Sequence, residues 1–302
     1  MDEYVIRARI RRLVFVSSAL SRAMLAGDFR SSFRGRGMDF DSVREYEVTD
    51  DAMRMDWNAT ARFARPFLKT YREDRGLSVY LVMDESASMD FGAGRTKRET
   101  AVLAASLLAH ACALNGVLVG GLFFGGGGFE HFEPAAGERP VRVLAERLIS
   151  GSRMQGVRGR GSQARGQPGS DLAGALEAAV AHLKRRSLVI VVSDFKTVGF
   201  AVPLALLARR HDAVAVLVRD TLDAKPPRVP FLLRAMDAES GVPRLVAPRS
   251  RHYAETLVAE SRSARLEWLA ALSAAKVPSM ELDAGTDPAR VLMDFFRRRR
   301  GA

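Results

Sequence analysis

The stretch LSVYLVMDESAS, residues 77–88, places one carboxylate and two hydroxyls at alternate positions, Asp84, Ser86 and Ser88, directly after an apolar run. Oxygen side chains at two-residue steps can converge on a hard divalent cation, which prefers oxygen ligands. A second apolar run, SLVIVVSDF at 187–195, carries Asp194 near its end. Ser170 and Asp171 follow Pro168-Gly169 at the start of a helical pattern. Together these segments offer a candidate metal set of Asp84, Ser86, Ser88, Ser170 and Asp194. Each residue also has a plain structural alternative. Asp84 and Ser170 suit helix capping, and Asp194 suits the end of a strand. The Asp-x-Ser-x-Ser spacing after a buried strand favours metal.

The donor types limit the chemistry. Hydroxyls and water are neutral ligands. Two carboxylates, one or both reaching the ion through water, would leave a Mg²⁺-like ion short of donors. Magnesium prefers an octahedral shell and keeps several waters, so an open position suits a Glu or Asp from a partner. Mn²⁺ and Ca²⁺ are the other candidate ions. Such a centre favours adhesion over hydrolysis, because no His, Lys or extra carboxylate near the motifs stands out as a general base. The histidines His110, His131, His182, His211 and His252 are scattered, with no pair at helical ligand spacing.

These residues need a scaffold that brings distant segments to one edge. Leu77–Met83 is too short for a helix and rich in Val and Tyr, so it reads as a buried strand. Strand and helix patterns alternate from there. Helices are expected near 95–114, 140–150, 171–186, 203–210, 253–275 and 288–300. Strands are expected at 117–124, 187–195, 212–220 and 277–282, with an antiparallel edge strand at 129–132 and a short one at 244–247. Near-continuous apolar strands separated by helices predict an α/β fold, a doubly wound, mostly parallel sheet covered on both faces. In open sheets of this kind ligands bind beyond the carboxyl ends of the strands. Residues 76–302 are expected to form this domain, with an insertion around 221–250, and 1–75 an N-terminal extension. Residues 4–26 read as an amphipathic helix, 33–38 as a Gly/Arg turn, and Gly125–Gly128 as a turn rather than a phosphate loop. The segment 151–169 is a long Gly/Arg-rich loop.

Composition narrows the classes further. The chain has 302 residues, 47% hydrophobic and 27% charged, which is ordinary for a globular protein. A single cysteine, Cys112, excludes an internal disulfide framework and a cysteine zinc site. The formal charge of +11 is compatible with nucleic acid or an anionic surface. No basic motif interleaved with aromatics accompanies it, so a solvated basic surface is preferred. Residues 101–129 lack Asp, Glu, Lys and Arg, but His110, Asn115-Gly116 and the glycine run break them into a buried helix and strand rather than a membrane span. The N-terminal basic and apolar residues are flanked by acids and do not read as a cleaved signal. A cytoplasmic location is expected.

LVMDESAS, GSDLAGAL and VIVVSDF resemble the three metal-site loops of a von Willebrand factor A-type domain with its metal-ion-dependent adhesion site. The resemblance implies Asp84, Ser86 and Ser88 from the first loop, Ser170 where the family often has Thr, and Asp194 from the third. Phe195 stands where many such domains have Gly. Residues 37–62, GMDFDSVREYEVTDDAMRMDWNATAR, resemble the signature of the bacterial "domain of unknown function 58" family through Arg44, Glu45, Tyr46, Asp50, Asp51, Arg54, Asp56, Trp57, Ala61 and Arg62. MDAESG at 236–241 fits as well. That resemblance implies an adaptor working with a MoxR-type AAA+ ATPase or its client. The charged residues of 37–62 suggest an ion-pair network, with Tyr46, Trp57 and Phe63 as apolar anchors.

Two other functions compete. One is a Mg²⁺-dependent phosphohydrolase with Asp84 as nucleophile, although such enzymes usually carry a second Asp where this chain has Ser86. The other is nonspecific nucleic-acid binding through 151–168 and Arg297–Arg300, supported by charge alone. The same Arg-rich loop, lying just before Ser170, could instead steer an acidic partner.

Overall fold

A computed structural model describes residues 38–45, 55–63, 65–73, 78–92, 94–125, 128–150, 170–223, 231–236, 243–246, 248 and 250–299. The expected helix at 4–26, most of the turn at 33–38 and the loop at 151–169 lie outside the described residues, as does much of the 37–62 signature. The chain divides into two compact units, Arg30–Gly76 and one that holds Leu77–Ala302.

In the smaller unit β1 (Met38–Glu45) pairs antiparallel with β2 (Phe67–Glu73), Met38 opposite Glu73 and Glu45 opposite Phe67. β1 was not expected, because MDFDSVRE mixes acids and hydroxyls through its apolar positions and hides the strand period. Between them lies α1 (Trp57–Phe63). It is tied to β2 by Phe67 N–H donating to Thr60 Oγ1 at 3.0 Å and by Asp56 N–H donating to Phe67 O at 2.8 Å. Trp57 is 71% exposed and Phe63 59%, so neither of these two expected apolar anchors is buried. A helix of under two turns, held through Asp56 and Thr60, leaves both rings at the surface.

The larger unit is built on a six-stranded sheet in the order β10-β7-β6-β3-β4-β5. Its strands are β3 (Ser78–Asp84), β4 (Leu118–Gly125), β5 (Gly128–Ala135), β6 (Leu188–Ser193), β7 (Asp212–Arg219) and β10 (Ser279–Asp283). β5 runs antiparallel at one edge and the other pairings are parallel. β3 and β6 are buried along their whole length, the pattern of strands covered on both faces. A separate antiparallel pair, β8 (Leu233–Met236) and β9 (Pro243–Val246), falls within the expected insertion.

Helices cover both faces. Tyr80, Val82, Leu122, Val189 and Val191 share a core with α4 (Leu172–His182), α5 (Ala201–Arg210) and α6 (Arg251–Ala275). The alternate residues Val79, Leu81 and Met83 are equally buried and point the other way, as a strand's period of two requires. The remaining helices are α2 (Lys97–Ala113), α3 (Glu138–Ser150) and α7 (Pro288–Arg299). The uncharged run 101–129 therefore divides into α2 and β4, and Cys112 is buried in α2. Among the described residues, no helix is long and apolar enough to cross a membrane.

The connections fix where a ligand can sit. From β3 the chain moves through α2 to β4 on one side. From β6, β3's other neighbour, it moves through α5 to β7 on the opposite side. The carboxyl ends of β3 and β6 therefore flank the point where the winding reverses, the usual crevice for ligands in such sheets.

Candidate metal centre

Asp84 is the last residue of β3 and only 2% exposed. Its Oδ1 accepts the Ser86 N–H at 2.9 Å, and the Ser86 and Ser88 hydroxyls lie 3.0 Å apart. Three neighbouring residues, Phe124, Arg98 and Arg147, hold this loop in place. Glu85 N–H donates to Phe124 O at 2.7 Å, extending the β3–β4 pairing. Arg98 Nη2 donates to Glu85 O at 2.9 Å and Ser86 O at 3.3 Å. Arg147 binds the Glu85 carboxylate at 2.9 and 2.8 Å, donates to Glu130 at 2.6 Å, and lies 4.4 Å from the centre of the Phe123 ring. Gly125, at φ +149°, approaches the same loop so closely that a Cβ would sit 2.6 Å from the Glu85 carbonyl carbon. Gly125, at the start of the glycine run, is thus a close-packing point against the first motif.

The second segment adds a hydroxyl. Asp171, not Ser170, caps α4, its side chain accepting the Gly174 N–H at 2.9 Å. Ser170 Oγ instead donates to Asp84 Oδ2 at 3.1 Å. Its carbonyl accepts from Thr197 Oγ1 at 3.0 Å, which joins the second and third segments.

β6 ends at Ser193, so Asp194 is the first residue past the strand. Ser193 Oγ donates to Asp84 Oδ2 at 2.6 Å and accepts the Phe195 N–H at 2.9 Å. Phe195 adopts φ +51°, the left-handed region, where Gly is at ease and a bulky side chain is strained. Its ring, 4% exposed, packs against Phe200 and Trp268 with centroids at 5.5 and 5.9 Å. The backbone therefore turns left-handed directly after Asp194.

Asp194 is held differently. Its Oδ2 accepts from Lys97 Nζ at 2.7 Å, and Lys97 is completely buried at the first position of α2. Lys97 also lies 3.4 Å from Asp223 Oδ1, which binds Lys196 at 2.6 Å. Lys97 was not among the residues expected at the site. Lys97 opens a helix thirteen residues beyond Asp84, inside a charged KRET stretch with a Thr96–Glu99 capping box. In the sequence it looks like a solvated first-turn residue, and only the packing of α2 over β3, β4 and β7 brings it inside.

Electrostatics separate the carboxylates. Burial pushes the Asp84 pKa above the usual carboxylate range, the charge of Asp194 pushes it further, and hydrogen bonds from Ser193 and Ser86 oppose both. For Asp223 burial also pushes upward, but Lys97, Lys196 and their hydrogen bonds outweigh it and the pKa falls. Burial would lower the Lys196 pKa, but the charges of Asp223 and Asp194 raise it.

The predicted residues thus meet to different degrees. Asp84, Ser86 and Ser170 form one hydrogen-bonded group, and Ser88 joins through Ser86. Asp194 is near enough to act on Asp84 electrostatically, while its carboxylate is engaged by Lys97. Ser193 belongs to the group and was not predicted. Its place next to Asp194 at the end of an apolar strand was the available signal. Among the described residues, no three His, Cys, Asp or Glu side chains gather as a metal site. A cation here would rest on Asp84 and Asp194 with hydroxyls. The donor set fits a hard cation on one further point: the hydrogen bonds to the buried Asp84 carboxylate come from neutral groups, Ser86 N–H and the Ser170 and Ser193 hydroxyls. A cavity of about 390 Å³ opens beside Asp194, lined also by Lys196, Arg219, Asp223, Arg265 and Trp268.

Fold and site define a doubly wound α/β protein with a carboxylate-and-hydroxyl cluster at the reversal of its sheet. Residues 42–266 match the family described as protein of unknown function DUF58, and the chain belongs to that family. It is 31% identical over 247 residues to the uncharacterized protein Mb1516 of Mycobacterium bovis, covering 81% of this chain and 74% of that protein. The uncharacterized proteins MT1527 and Rv1480 of two Mycobacterium tuberculosis strains show the same identity and coverage.

Proposed function

We propose that this cluster is a metal-ion-dependent adhesion site of the von Willebrand factor A type, and that the protein is an adaptor which binds an acidic group of a protein partner through it. Asp84, Ser86, Ser88, Ser170 and Asp194 would hold Mg²⁺, with Mn²⁺ or Ca²⁺ as substitutes. A bound divalent cation would supply one open, Lewis-acidic position for an outside carboxylate. The observation that carries this reading is Asp84: a buried carboxylate at the winding reversal, surrounded by hydroxyls that face it and given hydrogen bonds by neutral donors. Burying such a charge is costly unless a cation joins it.

The surroundings suit a protein partner. Phe91, 48% exposed, follows the first motif, and Val198, 84% exposed, follows the third. The partner we propose is a MoxR-type AAA+ ATPase or its client. The phosphohydrolase reading ranks second, because such enzymes usually carry a second Asp two residues after the nucleophile, where this chain has Ser86. Nucleic-acid binding loses part of its support, since Arg299 of the terminal basic run pairs with Asp212.

The test is capture of the purified ATPase on immobilised protein in Mg²⁺, in EDTA, and with Asp84→Ala. The proposal expects capture in Mg²⁺ alone and its loss in the other two. Equal capture in all three would remove the metal from the mechanism.

A further inference from the structure

We infer that Lys97 sets the charge of this centre, so that cation and outside carboxylate bind cooperatively and neither binds tightly alone. The inference rests on the metal-site reading above and adds a residue to it.

Among the described residues, Lys97 is the one ammonium that reaches into the cluster with no exposed surface, and Asp194's side chain is only 3% exposed. A buried ammonium is tolerated only when paired, so Lys97 acts as a standing counter-charge to Asp194. Lys196 is committed to Asp223 at 2.6 Å, and the Asp223 carboxylate also lies 3.4 Å from Lys97. Asp84 receives neutral donors. With Asp84 ionised, as it must be to hold a cation, Asp84, Asp194 and Asp223 against Lys97 and Lys196 leave a formal charge of minus one at the cluster.

That charge governs the order of binding. With a divalent cation the cluster carries plus one, and a carboxylate from outside returns it to zero. Without Lys97 the cluster would start at minus two. The cation alone would then neutralise it, leaving no excess charge to draw in an acid. Charges this deeply buried are poorly screened by salt, so the difference is felt at physiological ionic strength. Lys97 therefore weakens binding of the cation alone and makes the acidic ligand part of the binding event. It also positions Asp194 by holding Oδ2, which leaves Oδ1 to the Lys196 N–H at 3.3 Å.

The experiment is Mn²⁺ titration followed by electron paramagnetic resonance, in which the free-ion signal is lost on binding. It is run with and without saturating acetate on the wild type, Lys97→Met and Asp84→Asn. The inference expects wild-type Mn²⁺ affinity to rise with acetate. It expects Lys97→Met to bind Mn²⁺ at least about tenfold more tightly without acetate and to lose most of the acetate effect. Unchanged Mn²⁺ affinity in Lys97→Met, with wild type binding and Asp84→Asn not binding, overturns the role of Lys97 and leaves the metal site standing. Absence of Mn²⁺ binding in the wild type overturns the metal-site reading itself. If Lys97→Met does not fold, Lys97→Gln removes the ammonium and keeps a neutral donor beside Asp194. Tighter Mn²⁺ binding without acetate in Lys97→Gln supports the inference, and unchanged binding overturns it.

Discussion

Replacing Phe195 tests the geometry of the third motif through an inverted order of stabilities. Phe195 is 4% exposed, packs on Phe200 and Trp268, and holds φ +51°. Truncating a buried Phe costs about 3–5 kcal/mol. Phe195→Ala suffers that loss and keeps a side chain in the left-handed region, where an L-residue is about 1–2 kcal/mol worse off than Gly. Phe195→Gly suffers the same loss, escapes the strain, and adds about 0.5–1 kcal/mol of backbone entropy. The glycine variant should therefore be more stable than the alanine variant by about 0.5–1 kcal/mol, the reverse of the order at helical or extended positions. Urea denaturation of both variants beside the wild type measures this. Both should be destabilised, Gly less than Ala. A glycine variant less stable than the alanine variant would refute the left-handed turn after Asp194.

Other perturbations act through the charges. In chelator at neutral pH, Asp84→Asn should raise the melting temperature, because burial lifts the Asp84 pKa and the ionised form is the one the fold resists. The folded state then holds a proton that the unfolded state releases. Wild-type stability therefore falls as pH rises from the usual carboxylate value of 3.8 through Asp84's raised pKa, and the advantage of Asn should vanish below 3.8. Asp223 has the opposite sign. Its lowered pKa contributes stability above 3.8 that is lost as pH falls through its folded value, so Asp223→Asn should cost about 2 kcal/mol at pH 7 and progressively less in acid, read by denaturation at several pH values. Arg147→Met leaves the Glu85 carboxylate, 9% exposed, without its bidentate partner. It should cost about 2–4 kcal/mol in the same assay and weaken Mn²⁺ binding by loosening the first motif.

The sheet was legible because β3, β4, β6 and β7 are short apolar runs bounded by turns, a pattern that burial on both faces produces directly. The candidate site was legible for a related reason. Asp84 lies at the end of such a run and Asp194 just past another, and parallel pairing of β3 with β6 brings the two ends together. β1 escaped notice because its charged and apolar residues do not alternate cleanly, and Trp57 and Phe63 misled because large rings suggest burial while both are exposed. Lys97, Arg98 and Arg147 were hidden for a common reason. Each comes from a helix whose local sequence looks solvated, and its partner lies elsewhere in the chain: Asp194 for Lys97, the Glu85 and Ser86 carbonyls for Arg98, and the Glu85 side chain for Arg147. Local pattern shows where strands end. It does not show which helix residue is drawn over those ends.

The most direct measurement is an anomalous-difference map from crystals grown in saturating Mn²⁺. It should show one strong peak within about 2.0–2.6 Å of an Asp84 oxygen or a Ser86 hydroxyl, with Asp194 alongside and Lys97 still bound to it. A map without a peak at the ends of β3 and β6, with the Asp84 carboxylate still bonded to Ser86, Ser170 and Ser193, would contradict the metal site.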